Sequence, residues 1–220
     1  MIRENLAKIK ESIPKDVTLV AVSKTKPNAD VMEAYDAGHR IFGENRVQEL
    51  TSKYEALPKD IEWHMIGHLQ SNKVKYIASF VSLIHGVHKF KLLKEINKQA
   101  KKEDRIIDVL IQFHIAQEDS KFGFDFDEAK EMLESDQFVE LENINVRGVM
   151  GMATFTDNKE QIEDEFRTLN NYFQVFKSNF FKFNDGFNII SMGMSGDYEI
   201  AIEEGSNMIR VGSKIFGERK

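Results

Sequence analysis

The stretch "VTLVAVSKTKPN" at residues 17–28 joins an apolar run to a polar loop. Residues 19–22 are all apolar, so the predicted strand has two apolar faces, which is typical of a parallel sheet covered by helices. The loop that follows, at residues 23–28, contains no glycine. Because a doubly wound sheet usually carries a glycine-rich first turn, this loop favours a parallel barrel over that alternative.

Further apolar or β-branched runs follow, separated by longer stretches of helical period. The eight predicted strands span residues 17–23, 40–44, 61–66, 80–85, 106–113, 144–152, 187–193 and 207–212. Eight strand–helix units in a chain of 220 residues predict an α/β fold, a (β/α)8 TIM barrel with short loops. No linker rich in proline, glycine or serine interrupts the alternation, so we expect residues 1–220 to form a single domain.

The clearest predicted helix covers residues 158–180. Its apolar residues are spaced three and four apart and form one stripe: Ile162, Phe166, Leu169, Phe173, Phe176 and Phe180. Asp157 is followed three residues later by Glu160, which predicts that Asp157 is the N-cap.

Composition restricts the classes of function. The formal net charge is −6 and the lysines are mixed with carboxylates, so we expect no nucleic-acid partner. The charged N-terminal segment does not resemble a signal peptide, and no run approaches the roughly 18 apolar residues of a membrane span. We therefore expect a cytoplasmic protein without membrane contact. Since the chain has no cysteine, a nucleophile has to be Lys, Ser, Thr, His or a carboxylate.

Two lysines stand at the end of the first predicted strand, where barrel proteins place functional side chains. If the strand stays extended as far as Lys26, then Lys24 and Lys26 point to the same side, with Val20 and Val22 beneath them. Like charges and apolar neighbours lower the pKa of a lysine, and such a lysine forms Schiff bases with carbonyl groups. A pair of solvated lysines leading into a proline turn is the alternative, and both interpretations remain open at this point.

Small and polar residues follow the last two predicted strands, in "SMGMSGDYEIAIEEGSNMIRVGSKIFG" at 191–217. Ser195, Gly212 and Ser213 stand where barrels recurrently bind phosphate, after strands seven and eight and beside a helix N-terminus. Ordinary turn residues, with a helix cap at Ser195 or Asp197, are the alternative. A phosphate site and a Schiff-base lysine together suggest pyridoxal 5′-phosphate.

Arg210 lies on the last predicted strand and shares a face with Met208 and Gly212, so we expect it inside the barrel. A buried guanidinium needs a ligand or a carboxylate partner. Opposite a pyridine nitrogen it would keep the ring unprotonated, because arginine does not give up its proton. A structural salt bridge is the alternative interpretation.

Several motifs of this chain resemble those of one known family. They are "AVSKTKP", "FGENRVQE", "WHMIGHLQSNK", "SKFG", "RGVMGM" and the stretch at 191–217 quoted above. The motifs resemble the YggS/PROSC family of pyridoxal phosphate homeostasis proteins, single-domain relatives of the N-terminal barrel of alanine racemase. The resemblance covers nearly the whole chain and implies an alanine-racemase-N-terminal-like barrel that binds pyridoxal phosphate.

The resemblance also implies roles for individual residues. Lys24 would carry the cofactor as a Schiff base, Arg210 would face the ring nitrogen, and Asn45 would line the pocket. The predicted cofactor-binding set comprises Lys24, Asn45, Met194, Ser195, Arg210, Gly212 and Ser213. We expect no metal site. Lys26 and Lys121 match lysines of the family without an assigned role.

His114 departs from the family pattern. It stands where the resemblance leads us to expect asparagine, just before the stretch containing Glu118, Ser120, Lys121 and Gly123. The departure concerns hydrogen bonding beside the cofactor ring and leaves the expected cofactor unchanged.

The expected activity depends on what surrounds the cofactor. Alanine racemases use a lysine and a tyrosine from a second domain, whereas all five tyrosines here lie within the predicted barrel, which ends with the chain at Lys220. The cofactor face would then be open to water, so we expect a non-catalytic, monomeric carrier of pyridoxal phosphate, with apo-enzymes as candidate recipients. The alternatives are a small racemase that uses Lys24 as its base, and an aldolase-like barrel in which Lys24 attacks a sugar phosphate.

Overall fold

The computed structural model describes residues 1–118 and 122–218, which form a closed barrel of eight parallel strands covered by helices. The strands are β1 (Thr18–Val22), β2 (Ile41–Glu44), β3 (Glu62–Met65), β4 (Leu83–Val87), β5 (Ile107–Gln112), β6 (Ile144–Met150), β7 (Ile189–Ser191) and β8 (Met208–Val211). Each strand pairs with the next along the chain, and β8 closes the barrel on β1 through pairs such as Leu19 with Ile209. The predicted (β/α)8 barrel is confirmed.

Helices cover the outside of the barrel. They are α1 (Ile2–Ser12), α2 (Asn28–Asp36), α3 (Val47–Ala56), α4 (Phe90–Lys102), α5 (Phe126–Glu134), α6 (Asp136–Val139), α7 (Lys159–Asn179), α8 (Tyr198–Glu203) and α9 (Ser213–Phe216), with a 3-10 helix at Ser71–Tyr76. Within the described residues, none of these helices has the length and apolar character needed to cross a membrane. The single-domain assignment for residues 1–220 stays a prediction.

Helix α7 matches the predicted stripe, but its N-cap is Asn158 and not Asp157. The side-chain oxygen of Asn158 accepts a hydrogen bond from the Gln161 backbone N–H at 3.3 Å, which is the usual N-cap geometry. Asp157 precedes that position by one residue, so its carboxylate is not the group that caps the helix. The apolar stripe packs on the barrel, since Phe166 and Phe176 are fully buried.

The fourth strand begins later than the apolar pattern predicted, at Leu83 and not at residue 80. Phe80 and Val81 instead donate their backbone N–H groups to the Ile77 carbonyl, at 3.1 and 2.9 Å, in a turn that follows the 3-10 helix. Ser82 N–H then bonds to the Trp63 carbonyl at 2.9 Å and starts the alignment with β3. An apolar run can bury a turn as well as a strand, so hydrophobicity alone places this boundary too early.

The centre of the barrel is filled by side chains. Val20, Leu83, Leu110, Met150 and Met208 form an apolar cluster in which no residue is more than 6% exposed. At Gly43 an added Cβ would lie 2.9 Å from Val20 Cγ1, so β2 provides room for this packing. Because the interior is packed, a ligand site has to lie in the loops at the ends of the strands.

Candidate cofactor-binding site

A cavity of about 470 Å³ opens at the carboxyl ends of the strands. It receives residues that follow β1, β2, β3, β6, β7 and β8, and its volume is typical of a small-molecule site. All seven residues of the predicted cofactor-binding set line it: Lys24, Asn45, Met194, Ser195, Arg210, Gly212 and Ser213. The topology thus brings together residues that are up to 189 positions apart, from 24 to 213.

Lys24 lies in a tight turn, and the extended path to Lys26 considered above is wrong. Strand β1 ends at Val22, the Lys26 N–H bonds to the Ser23 carbonyl at 3.0 Å, and Thr25 has a φ of 65°. The left-handed region is unfavourable for a β-branched residue, so the turn has to be held by its surroundings. Both lysines line the cavity, although not as successive members of one strand face.

Lys26 is engaged by the segment after α9. Its ammonium donates to the carbonyl oxygens of Phe216, Gly217 and Glu218 at 3.1, 3.0 and 3.1 Å. Three donors match three acceptors, so the Lys26 side chain holds the end of helix α9, whose N-cap Gly212 and first residue Ser213 line the cavity. No motif assigned a role to Lys26, and its contacts indicate a structural one.

Residues beside the Lys24 turn form a buried ionic cluster that the motifs did not reveal. Lys53 Nζ donates to Glu44 Oε1 at 2.7 Å, to Glu49 Oε1 at 2.8 Å and to the Ser23 carbonyl at 2.7 Å. Ser23 Oγ donates to the same Glu44 oxygen at 2.6 Å. Burial raises the pKa of Glu44, and the neighbouring Lys53 ammonium offsets part of that rise. The available signal was the spacing of Glu49 and Lys53, four apart on α3.

Arg210 lies inside the barrel, as predicted, and its partners are neutral. Nη1 donates to Ser191 Oγ at 2.6 Å and Nη2 donates to the Gly151 carbonyl at 3.1 Å. Burial lowers the pKa of Arg210 to about 10, against the opposing effect of Asp197. Among the described residues no carboxylate forms a salt bridge with this guanidinium, so the structural salt-bridge alternative is not what the fold contains.

Two histidines extend this hydrogen-bonded chain across the barrel. His85 Nδ1 lies 2.9 Å from Ser191 Oγ, and His85 Nε2 lies 3.0 Å from His64 Nδ1. Burial lowers the pKa of His64 to about 3 and that of His85 well below its ordinary value, so both rings are neutral near pH 7. Arg210 can only donate to Ser191 Oγ, which leaves the hydroxyl proton available to His85 Nδ1; with the proton placed there, His85 Nε2 donates to His64 Nδ1.

The residues predicted to bind phosphate are in contact with one another. The Gly212 N–H donates to Ser195 Oγ at 3.2 Å, while the Arg210 N–H donates to the Gly193 carbonyl at 2.9 Å. Asp197 is the N-cap residue of α8, yet its carboxylate accepts from the Met194 N–H at 2.6 Å and not from the helix. Asp197 therefore occupies the N-cap position of α8, as the alternative interpretation predicted, but its side chain does not cap the helix.

The remaining sequence-based expectations lie beside the cavity or outside the described residues. His114 Nε2 lies 2.9 Å from the Glu118 carbonyl, and His114 is not among the cavity-lining residues. Ser120 and Lys121 fall outside the described residues. Phe155, which no motif identified, lines the cavity and is 97% exposed.

Comparison with known proteins places the chain in a family. It matches the model of the alanine racemase N-terminal domain over residues 1–220. A pyridoxal phosphate homeostasis protein of Aquifex aeolicus is 41% identical over 203 residues, which are 92% of this chain and 87% of that protein. PipY of Synechococcus elongatus, in its structure with pyridoxal phosphate bound, matches with a TM-score of 0.88 and 32% identity, covering 99% of this chain and 100% of PipY.

An alanine racemase of Clostridium difficile has the same fold, with a TM-score of 0.75 and 15% identity over 99% of this chain and 56% of that enzyme. That likeness concerns the barrel alone, whereas the first two relatives are similar in sequence along nearly their entire length. The chain therefore belongs to the alanine racemase N-terminal domain family and, within it, to the pyridoxal phosphate homeostasis proteins.

Proposed function

We propose that this chain binds pyridoxal 5′-phosphate reversibly as a Schiff base on Lys24 and serves as a non-catalytic carrier in pyridoxal phosphate homeostasis. The observation that carries the proposal is the meeting of Lys24, Arg210 and the Ser195–Gly212–Ser213 group in one cavity. The relatives support it, since PipY has a structure with pyridoxal phosphate bound.

The chemistry of the lining residues fits the three functional groups of this cofactor. Lys24 offers an amine for the aldehyde, and Arg210 offers a guanidinium for the pyridine nitrogen. Ser195, Gly212 and Ser213 offer hydroxyl groups and backbone N–H groups, with little side-chain bulk, for the phosphate. A cavity of about 470 Å³ accommodates a ligand of this size.

Binding by this route needs no oxidant or reductant. Pyridoxal phosphate supplies an aldehyde that condenses with an amine. Lys24 Nζ, once it has lost its proton, forms a bond to the aldehyde carbon, the aldehyde oxygen leaves as water, and a C=N bond remains. Water reverses the same step and returns the amine and the intact cofactor, which is what a carrier requires.

Two features favour a carrier over a racemase that uses Lys24 as its base. Within the described part of the chain, the cavity lining contains no tyrosine that could act as a second base on the opposite face. Lys26, the other lysine of the lining, is bound to three carbonyl oxygens, so its ammonium is engaged in holding the chain. A racemase would need a second cation, besides Arg210, to bind the carboxylate of its amino-acid substrate, and Lys26 is already engaged.

The test is an absorbance spectrum of the purified protein with pyridoxal phosphate, before and after borohydride, with mass spectrometry of the peptide that contains Lys24. We expect a visible band that borohydride bleaches and a reduced pyridoxyl adduct on Lys24, both lost in Lys24→Ala. The same band and affinity in Lys24→Ala would reject the Schiff base. Turnover of any member of a broad amino-acid panel by the wild type would reject the carrier in favour of the racemase.

A further inference from the structure

The turn that bears Lys24 is held on both sides by one buried ionic cluster, Glu44–Lys53–Glu49. On the N-terminal side of Lys24, the Ser23 hydroxyl bonds to Glu44 at 2.6 Å and the Ser23 carbonyl accepts from Lys53 at 2.7 Å. On the C-terminal side, the Thr25 N–H donates to Glu49 Oε1 at 2.6 Å. Every one of these contacts involves a residue next to Lys24, and the cluster therefore fixes the backbone from which the Lys24 side chain extends.

Lys53 joins the two sides of the cluster. Its ammonium bonds to Glu44 Oε1 at 2.7 Å and to Glu49 Oε1 at 2.8 Å, and the same two oxygens bind Ser23 and Thr25. The Lys53 side chain is 5% exposed and that of Glu44 is fully buried. An ion pair so placed is weakly screened by solvent and holds its partners in one geometry.

Stability alone does not account for this arrangement. Removing charges from water is costly, and a buried ion pair can often be replaced by apolar side chains without loss of stability. Within the described residues no donor reaches Glu44 Oε2, so this buried carboxylate is not fully satisfied either. Meanwhile Thr25 sits at a φ of 65°, a conformation that persists only where neighbouring contacts enforce it.

We propose that Glu44, Lys53 and Glu49 are positioning residues for Lys24: they hold the strained Ser23–Thr25 turn so that the Lys24 amine enters the cavity in a reactive orientation. The inference rests on the proposed function, because it concerns the same Schiff base. None of the three side chains is itself among the cavity-lining residues, so they act on the cofactor through the turn and not by contact.

The central variant is Lys53→Met, which keeps the length of the side chain and removes its donors. Lys130→Met is the matched control, because Lys130 belongs to an exposed pair with Glu134, also four apart on a helix, at 4.0 Å. Two quantities are measured for each folded protein: the dissociation constant of pyridoxal phosphate, and the rate of reductive trapping of pyridoxal on Lys24. Pyridoxal lacks the phosphate, so its trapping reports the amine separately from the phosphate site.

We expect Lys53→Met to weaken pyridoxal phosphate binding at least ten-fold and to slow pyridoxal trapping on Lys24 by a similar factor. Lys130→Met should stay within two-fold of the wild type in both. A merely structural ion pair would lower resistance to urea while leaving the trapping rate of the folded protein unchanged. Folded Lys53→Met with wild-type affinity and trapping rate would therefore overturn the inference.

A second variant covers the case in which Lys53→Met does not fold. Glu49→Ala leaves the buried Glu44–Lys53 pair intact and removes the acceptor of the Thr25 N–H, at a side chain that is 22% exposed. It should also slow trapping on Lys24, and a wild-type rate would contradict the inference. Lys24→Ala separates the two proposals. If Lys24→Ala retains the visible band, the proposed function is wrong. If Lys24→Ala loses the band while Glu49→Ala keeps the wild-type trapping rate, only the positioning role is wrong.

Discussion

Arg210 Nη1 lies 2.6 Å from Ser191 Oγ inside the barrel, and this contact sets the position of the guanidinium that lines the cavity. The Ser191 hydroxyl also bonds to His85 at 2.9 Å, so one small side chain satisfies two buried polar groups. We predict that Ser191→Ala leaves both without this partner, lowering the free energy of unfolding by about 2 to 4 kcal/mol. Displacement of the guanidinium should weaken pyridoxal phosphate binding about ten-fold, which corresponds to about 1.4 kcal/mol.

Urea unfolding and cofactor titration measure the two effects. Ser178→Ala is the control, because Ser178 lies on the exposed side of α7 and donates only to the Gln174 carbonyl, at 2.8 Å. Unchanged affinity in Ser191→Ala would mean that Arg210 is not held by this hydroxyl.

Removal of the Lys26 ammonium tests its role in holding the segment after α9. Lys26→Met deletes three charge-assisted hydrogen bonds to carbonyls at residues 216–218, so α9 and the adjoining Gly212 and Ser213 should loosen. We expect about ten-fold weaker binding of pyridoxal phosphate, equivalent to about 1.4 kcal/mol, and little change in pyridoxal trapping on Lys24. Lys214→Met, on the same helix, is the control and should leave both unchanged. Equal losses in pyridoxal phosphate binding and in pyridoxal trapping would mean that Lys26 supports the turn that bears Lys24 and not the Gly212–Ser213 side of the cavity.

Two glycines of one loop should differ sharply in their tolerance of alanine. Gly193 has a φ of +96°, and an added Cβ would lie 2.7 Å from Ala201 Cβ and 2.9 Å from Tyr198 Cα, whereas a Cβ at Gly196 would meet nothing within 4 Å. We predict that Gly193→Ala lowers the free energy of unfolding by about 1 to 3 kcal/mol, because of backbone strain and overpacking. Gly196→Ala should change it by less than about 0.5 kcal/mol. Chemical denaturation of both variants checks this. Equal stabilities would show that the loop relaxes without penalty.

Buried histidines predict a loss of stability on mild acidification. Burial lowers the pKa of His64 to about 3 and that of His39 to about 4, so the native protein keeps these rings neutral where the unfolded chain protonates them. Since the unfolded state then binds more protons, the free energy of unfolding should fall as the pH drops below about 6.5, by up to about 1.4 kcal/mol per pH unit for each ring.

The measurement is urea unfolding at intervals from pH 7.5 to pH 5, a range chosen above the titration of ordinary carboxylates. His39→Gln should reduce the slope below pH 6.5, because it removes one of the buried rings. An identical slope in that variant and the wild type would exclude a contribution from His39.

The fold was predictable because its signal repeats along the chain. Each strand is short and apolar, and helical stripes such as that of α7 separate the strands, so the alternation alone leads to the barrel. The start of β4 was misplaced because the half-buried Phe80 and the buried Val81 lie in a turn, and an apolar run does not distinguish a turn from a strand. The N-cap at Asn158 was missed by one residue because two adjacent polar residues offer similar signals there.

The residues of the candidate site were predictable for a different reason. Lys24 and the Ser195–Gly212–Ser213 group follow strand ends, and barrel topology brings strand ends to one face. Arg210 lies within β8, and its face was predictable from the alternation of side chains along the strand. Their supporting contacts were not predictable, since Lys53 reaches Ser23 across 30 positions and His85 reaches Ser191 across 106. Such contacts depend on how α3 and the facing strands pack, and a single sequence contains no local pattern for them.

The packed interior described above also limits how quickly this protein could supply a cofactor. Across the described residues, the apolar cluster around Val20 and Met208 fills the barrel, so the cavity exchanges its contents through its mouth at the loop end. An incoming molecule has to wait until the previous one has left by the same route. For the proposed carrier, the residence time of the bound molecule would then set the highest rate at which one copy of the chain delivers it, whatever the concentration of free cofactor.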